Sequence, residues 1–403
     1  MSVITSLAWV SRGYARTEPI QQEVQMDDFE DFQENNDMQL ENYDQENPDP
    51  VFTNVEYDAQ LEDLKDQEEE ENCKIQPKDA LIVAGVQNGD FSELDVYVYV
   101  EETSALYVHH DIILSAYPLD LQWLPYNPQN PGEVGNCLAV GSFLPEIEVW
   151  NLDLLDALEP VVSLGGVKRV ENKSGKKKKK TKTYKKGSHR DAVMSLDMHP
   201  IRNNILASGS ADTQVKLWDV LENKCSLTLD HHQGKVQAVK WNPTEEKIIA
   251  TGGLDGNLFV MSADSPSSRI SASVPSEVES ISWDPFSPLK VSITTEDGFL
   301  NTYDARNLSA PLLSVKAHKN QSTARYSPGV PNLLATASTD CTVSLWDAQN
   351  LTRIQEKDMK VDKLLCLEFY KDSPYILATG GLGGEIAVWD TEESSLVTSH
   401  FSK

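Results

Sequence analysis

The residues in this chain that could do chemistry are acids and histidines held at a fixed interval. Asp212, Asp255, Asp297 and Asp340 each stand six residues before a bulky slot, filled by Trp218, Met261, Tyr303 and Trp346. His189, His232 and His318 fall in the same phase. A His paired with an Asp is the proton-handling half of a nucleophilic hydrolase. A pair that returns every 42 or 43 residues instead has the mark of a part repeated for structure. The other candidates are weaker. His109, His110 and Asp111 adjoin at the end of a strand-like run, where packing is expected before metal ligation. The five cysteines, Cys73, Cys137, Cys225, Cys341 and Cys366, are far apart and form no CxxC, so they read as free thiols of a reducing compartment. HExxH, GxSxG and Walker A patterns are missing, and GGLGG at Gly380–Gly384 suits a hairpin turn rather than a phosphate loop. The expectation is a protein with no catalytic residues, no metal and no cofactor.

The elements that position these residues are short strands. Four segments end in apolar-x-apolar-Trp followed by Asp or Asn: Ile147–Asn151, Val215–Asp219, Val343–Asp347 and Ile386–Asp390. From Trp218 the slot recurs at Met261, Tyr303, Trp346 and Trp389, in steps of 43, 42, 43 and 43 residues. A second marker, an apolar run ending near a proline, recurs at Pro200, Pro243, Pro285 and Pro328. Each unit has room for about four strands of five to seven residues. One such sheet has two apolar faces and open edges. Radial stacking buries both faces and leaves only short edges.

This pattern resembles the WD-repeat family, which implies an all-β, WD40-type β-propeller. In that family a His before the first strand, a Ser or Thr on the second, the turn Asp and the Trp form one buried hydrogen-bonded set. The resemblance therefore implies two complete tetrads, His189, Ser208, Asp212, Trp218 and His318, Thr336, Asp340, Trp346. A third set, His232, Thr251 and Asp255, meets Met261 in the Trp slot and is expected to be broken. The last repeat has Gly383 in place of the Asp. Six slots are explicit, with Trp150 the first. A seventh unit is suggested by Leu81–Gln87, Asp95–Val100 and Leu106–Ile113, with Tyr99 in the slot. It lacks an innermost strand, which Ile4–Gly13 is expected to supply across the intervening segment. Seven blades then average about 46 residues each, near the period of ~40–45.

The net charge of −28 is concentrated in attachments. Residues 18–79 hold 22 acids against three lysines, too polar to offset the entropy of ordering, and read as a disordered insert between residues 1–17 and the propeller at 80–403. Phe29, Phe32, Tyr43 and Phe52 could anchor it on a basic partner. Residues 167–187 form a basic loop with Lys176, Lys177, Lys178, Lys179, Lys180, Lys182, Lys185 and Lys186, the pattern of a nuclear import signal or a nucleic-acid contact. With one aromatic, Tyr184, it offers no stacking platform, so any RNA contact would be electrostatic and blind to sequence. The opening MSVITSLAWVSRG has neither a basic start nor a long apolar run, and no window nears the ~18 apolar residues of a membrane span. A soluble intracellular protein without membrane or small-molecule partners is expected.

A narrower resemblance rests on LAWVSRG (Leu7–Gly13), the acidic segment, Tyr97–Leu124, Ile147–Pro160 and the lysine tract. Together, in order along the whole chain, they are similar to the periodic tryptophan protein 1 family. That resemblance implies a nuclear, nucleolar WD-repeat scaffold of ribosome biogenesis. Its expected partners are ribosome assembly factors and pre-60S particles, with rRNA through the lysine tract and histones through the acidic surface. A chromatin-bound regulator that reads histone tails is the alternative class. An enzyme and a ubiquitin-ligase substrate receptor stand further back.

Overall fold

In the computed structural model, residues 2–21, 74–155, 157–168 and 183–401 are described. They form seven antiparallel sheets arranged as the blades of a propeller. Blade 1 joins Ser2–Val10, Ala80–Asn88, Phe91–Val100 and Ala105–Leu114, in that order from the axis outward. Blade 2 holds Pro118–Tyr126, Val134–Ser142, Glu146–Asn151 and Val162–Gly165. Blades 3 to 6 begin on the inner strands Val193–Met198, Val236–Trp241, Val278–Trp283 and Ser322–Tyr326. Blade 7 holds Leu364–Phe369, Ile376–Gly381 and Ala387–Asp390, and is three-stranded. The inner strands neighbour one another in sequence, and Ser2–Val10 closes the ring against Leu364–Phe369.

Alternation along each strand explains the stacking. In blade 2, Leu138 and Val140 pack with blade 1, while Cys137 and Ala139 pack with blade 3. In blade 3, Trp218 turns toward blade 2 and Leu217 toward blade 4. Seven apolar clusters result, one per junction between blades, and together they are the core. The last junction joins Ile4, Leu7 and Trp9 to Cys366, Tyr370 and Ala378. The segment before the acidic stretch thus supplies the inner strand of blade 1, in register from Ser2↔Asn88 to Val10↔Leu81.

Adjacent inner strands are not hydrogen-bonded as a sheet, so their axial edges need other acceptors. Side chains supply them. Asp120 accepts from Leu196 N at 2.7 Å, Asp197 from Trp241 N at 2.6 Å, and Ser282 Oγ from Tyr326 N at 3.1 Å.

The structure narrows both charged segments. Ile20–Gln21 pairs in parallel with Leu154–Leu155 of blade 2, and Ile75, 9% exposed, donates its N–H to Thr17 O. The two ends of 18–79 therefore belong to the folded body, one through strand pairing at Ile20–Gln21, where Ile20 stays exposed, and the other through burial of Ile75. The remainder of that insert, 22–73, lies outside the described residues. The basic loop begins as a hairpin stem, with Val167 bridging Tyr184 and Lys168 N bonded to Thr183 O. Lys176, Lys177, Lys178, Lys179, Lys180 and Lys182 lie outside the described residues, while Lys185 and Lys186 are exposed beside the stem.

Candidate functional site: polar tetrads and a charged channel

The His/Asp pairs form closed chains of hydrogen bonds inside the blades. In blade 3, Trp218 Nε1 donates to Ser208 Oγ at 2.8 Å, Ser208 lies 2.7 Å from His189 Nε2, and His189 Nδ1 lies 3.0 Å from an Asp212 oxygen. One placement of protons satisfies all three bonds. The indole donates to the hydroxyl, the hydroxyl to Nε2, and Nδ1–H to the carboxylate. The histidine is then neutral. Burial pushes His189 down from its usual range despite the Asp212 charge, and protonating Nε2 would reverse the hydroxyl bond and take this acceptor from the Ser208 proton. Asp212 is held at about 2, since the bonds from His189 and from Arg190 and Gln214 N–H outweigh its own burial. Blade 6 repeats the chain with Trp346 Nε1 to Thr336 at 2.9 Å, Thr336 to His318 at 2.8 Å, and His318 to Asp340 at 3.1 Å. Ser208 and Thr336 are fully buried, so neither hydroxyl can reach a substrate.

Blade 4 corrects the expectation of a broken set. Met261 has no N–H to give, but His231 takes the place of the indole. Its Nε2 lies 2.9 Å from Thr251 Oγ1, which is also 2.9 Å from His232 Nε2. His232 Nδ1 reaches Asp255 at 3.1 Å. Thr251 can give its proton to His232 and accept one from His231, so the chain is complete. Burial and the neighbouring His232 push His231 down to about 4. Blade 5 uses hydroxyls alone, with Ser292 2.8 Å from both Thr302 and Tyr326. In blade 2, Trp150 Nε1 donates to buried Glu148 at 3.3 Å.

An axial channel of about 420 Å³ is lined by all seven blades. Trp9, Trp123, Trp241, Trp283, Tyr326 and Tyr370 lie where the inner strands end and give that face an aromatic rim. Below them Lys240 pairs with Asp197 at 2.8 Å and Arg325 with Glu368 at 2.7 Å. Burial pushes Asp197 up, and the Lys240 charge only partly opposes it. These pairs tie blade 3 to 4 and blade 6 to 7. Trp9 and Trp283 likewise donate across blade junctions, to Glu368 O and Lys240 O. Sequence reading missed the channel because distance from the axis leaves no periodic mark.

The chain's path places the anchors of the two charged segments on opposite faces. The acidic segment leaves after the inner strand of blade 1, on the face of the aromatic rim, and its anchor on Leu154–Leu155 lies on the same side. The lysine loop enters the inner strand of blade 3, on the face where inner strands begin. Of the cysteines, Cys137 and Cys366 are buried free thiols, Cys225 and Cys341 are partly exposed, and Cys73 lies outside the described residues. Burial pushes the Cys137 thiol up to about 12. His109 and His110 share a 2.8 Å contact between ring nitrogens in the outer strand of blade 1. Among the described residues no group of three His, Cys, Asp or Glu gathers for a metal, and no helix is long and apolar enough to cross a membrane.

Comparison with known proteins agrees with this architecture. The WD domain, G-beta repeat family matches residues 178–219, 223–261 and 309–347. A Drosophila melanogaster protein named periodic tryptophan protein 1 homolog is 32% identical over 355 residues, 86% of this chain and 75% of the relative. Periodic tryptophan protein 1 of Saccharomyces cerevisiae is 32% identical over 387 residues, 83% of this chain and 67% of its own. An uncharacterized WD repeat-containing protein of Schizosaccharomyces pombe is 33% identical over 344 residues, and the match spans 66% of that relative's length.

Proposed function

Since this chain belongs to the periodic tryptophan protein 1 family, we propose that it is a non-catalytic WD-repeat scaffold of nucleolar ribosome biogenesis. Its work would be assembly and pre-rRNA processing for the large subunit, with rRNA-gene transcription a related duty. The observation that carries this reading is the internal use of the three repeated His/Asp pairs, His189–Asp212, His232–Asp255 and His318–Asp340. The three in-phase histidines, His189, His232 and His318, are buried, and each is bonded to a hydroxyl and a carboxylate of its own blade. What the fold offers instead is two broad faces with charged segments of opposite sign anchored on them. The lysine loop suits nuclear import and the phosphate backbone of rRNA. The acidic segment suits basic assembly factors. A second reading, a chromatin-bound regulator that takes histone tails, is favoured by the same acidic segment and its interspersed aromatics.

The test replaces Lys176–Lys180, Lys182, Lys185 and Lys186 with Ser or Gly, away from every strand. If the loop serves import, the variant collects in the cytoplasm, and an unrelated import sequence restores both nucleolar position and function. If the loop holds rRNA, the rescued variant enters the nucleus but leaves pre-ribosomal particles at lower salt than wild type. Release by DNase and indifference to RNase would favour the chromatin reading. Normal entry with normal salt resistance would discard both roles for the loop.

A further inference from the structure

Blade 7 is the one sheet in the ring with three described strands, and its third strand, Ala387–Asp390, has no described strand on its outer side. A fourth strand on this edge would pack against blade 1. Cross-strand pairing puts Glu93, Asp95, Tyr97 and Tyr99 on the blade 1 face turned to blade 7, opposite Ile113, Asp111, Val108 and Leu106. The inner part of this face is covered and Tyr99 is buried there. The outer part is not, with Val108 53% and Ile113 67% exposed. Ile386 and Val388 of blade 7 are only half covered on the same side. The short helix Ser395–Phe401 does not fill the gap. It packs on Thr352–Asp358, the outer strand of blade 6, and sends Val397 into the junction of blades 6 and 7.

We propose that this open edge accepts a strand from a partner, an extended segment with lysine or arginine among apolar residues on its blade 1 side. Main-chain bonds to a free edge, with side-chain pockets at alternate positions, are the physics of strand addition. The charge of the partner is argued from the face. Glu93, Asp95 and Asp111 stand together there, and the blade 1 strands offer no Lys or Arg on that side. Asp390 and Glu393 add negative charge near Tyr99. Burial, together with the charges of Glu93 and Asp111, pushes Asp95 up to about 6 against the bond from the Tyr97 hydroxyl, and among the described residues no Lys or Arg pairs with these three carboxylates. A second copy of this chain would bring the same acids to the same edge, and the acidic segment 22–73 would add more. The inference concerns a surface distinct from the lysine loop, so it stands or falls apart from the ribosomal reading.

The test uses the full chain and the fluorescent nonapeptide KTVTKTVTK, with ETVTETVTE and a copy N-methylated at alternate residues as controls. Saturable binding of the basic peptide is expected, at least tenfold tighter than the acidic one and lost on N-methylation. Hydrogen exchange should slow at 387–390, and Asp95→Asn with Asp111→Asn should weaken binding at least fivefold while the variant stays folded. Equal binding of the N-methylated or acidic peptide, or protection confined to other blades, would overturn the proposal. Dimerisation that the peptide must disrupt would assign the edge to a second copy and also overturn it. So would tighter binding after Lys176–Lys180 are changed to Ser, which would mean that the chain's own lysines compete for the edge.

Discussion

Thr336→Val tests the reading of the tetrads most directly, because valine keeps the shape of threonine and removes only the hydroxyl. That hydroxyl accepts from Trp346 Nε1 and gives its proton to His318 Nε2. Trp346 is 2% exposed and His318 5%, so water cannot replace either bond. Two buried polar groups are left unpaired, at ~1–3 kcal/mol each, and the gain from an added methyl offsets a little of that. A net cost of about 2–4 kcal/mol follows. At roughly 2.1 cal/mol/K per residue, a folded body of about 330 residues loses about 1.4 °C of Tm per kcal/mol, or about 3–6 °C here.

Blade 7 supplies the control. Thr379 occupies the matching place and is fully buried, but its hydroxyl meets only Ala387 O at 3.5 Å, with Gly383 where the Asp would stand. Thr379→Val should therefore cost less than about 1 kcal/mol. Calorimetry and urea unfolding of both variants, with Thr336→Ser to keep the hydroxyl, give the comparison. Equal losses for Thr336→Val and Thr379→Val would refute the claim that the tetrad stabilises its blade.

Two further outcomes follow from the same geometry. His189, His231, His232 and His318 all have depressed folded values, so the unfolded chain takes up protons first as pH falls. The histidine contribution to stability should be full above about pH 6.5 and decline toward pH 4, by at most ~1.4 kcal/mol per pH unit per histidine, against the opposite contribution of the raised Asp95 and Glu279. His231→Gln, which keeps a donor for Thr251 but cannot titrate, should flatten that decline in unfolding curves at pH 5; an unaltered slope would remove His231 from the account. Replacing 22–73 by a short Gly/Ser bridge should leave cooperative unfolding intact, since closure entropy changes by only ~0.6 kcal/mol per doubling of loop length. Extending the deletion to 18–79 should cost measurably more, because the Ile20–Gln21 strand pairing and the buried Ile75 are then lost from the body.

The repeat was legible because a blade must place a bulky group and a turn at the same points of each sheet, and those points recur in the sequence. The distant inner strand was legible for a similar reason. Ile4–Gly13 has the apolar pattern of an inner strand, and only one blade lacked one. The third tetrad was misread because attention to the slot hid the residue next to the in-phase histidine. Thr251 needs a second partner wherever Met261 replaces an indole, and His231 stands one position away to provide it. The ends of the acidic segment were misread from composition. Ile75 was a signal at one edge, an isolated apolar residue that is buried beside Thr17, whereas Ile20–Gln21 is held by backbone pairing with Leu154–Leu155, which leaves no mark in composition. The channel and the open edge of blade 7 had no sequence mark, because both depend on how blades meet around the axis.

The ring's internal chemistry bears on how such a scaffold could work. Inner strands of about six residues rise roughly 3.3 Å per residue, so the anchors of the acidic and basic segments stand on faces about 20 Å apart. That exceeds two screening lengths of ~8 Å at physiological ionic strength, so at their anchors the two charges do not cancel. Partners gripped at the two faces would then keep a fixed separation only if the blades do not shear. Apolar junctions alone resist separation more than sliding, since burial has no direction. Directional bonds supply the resistance to sliding. Asp197 to Trp241 N, Arg325 to Glu368 and Trp9 to Glu368 O each cross a junction, while the tetrads pin the outer turn of their own blades. The polar residues that resemble a catalytic kit in sequence thus brace the single blades, while the bonds of Asp197, Arg325 and Trp9 across junctions hold the two faces in register.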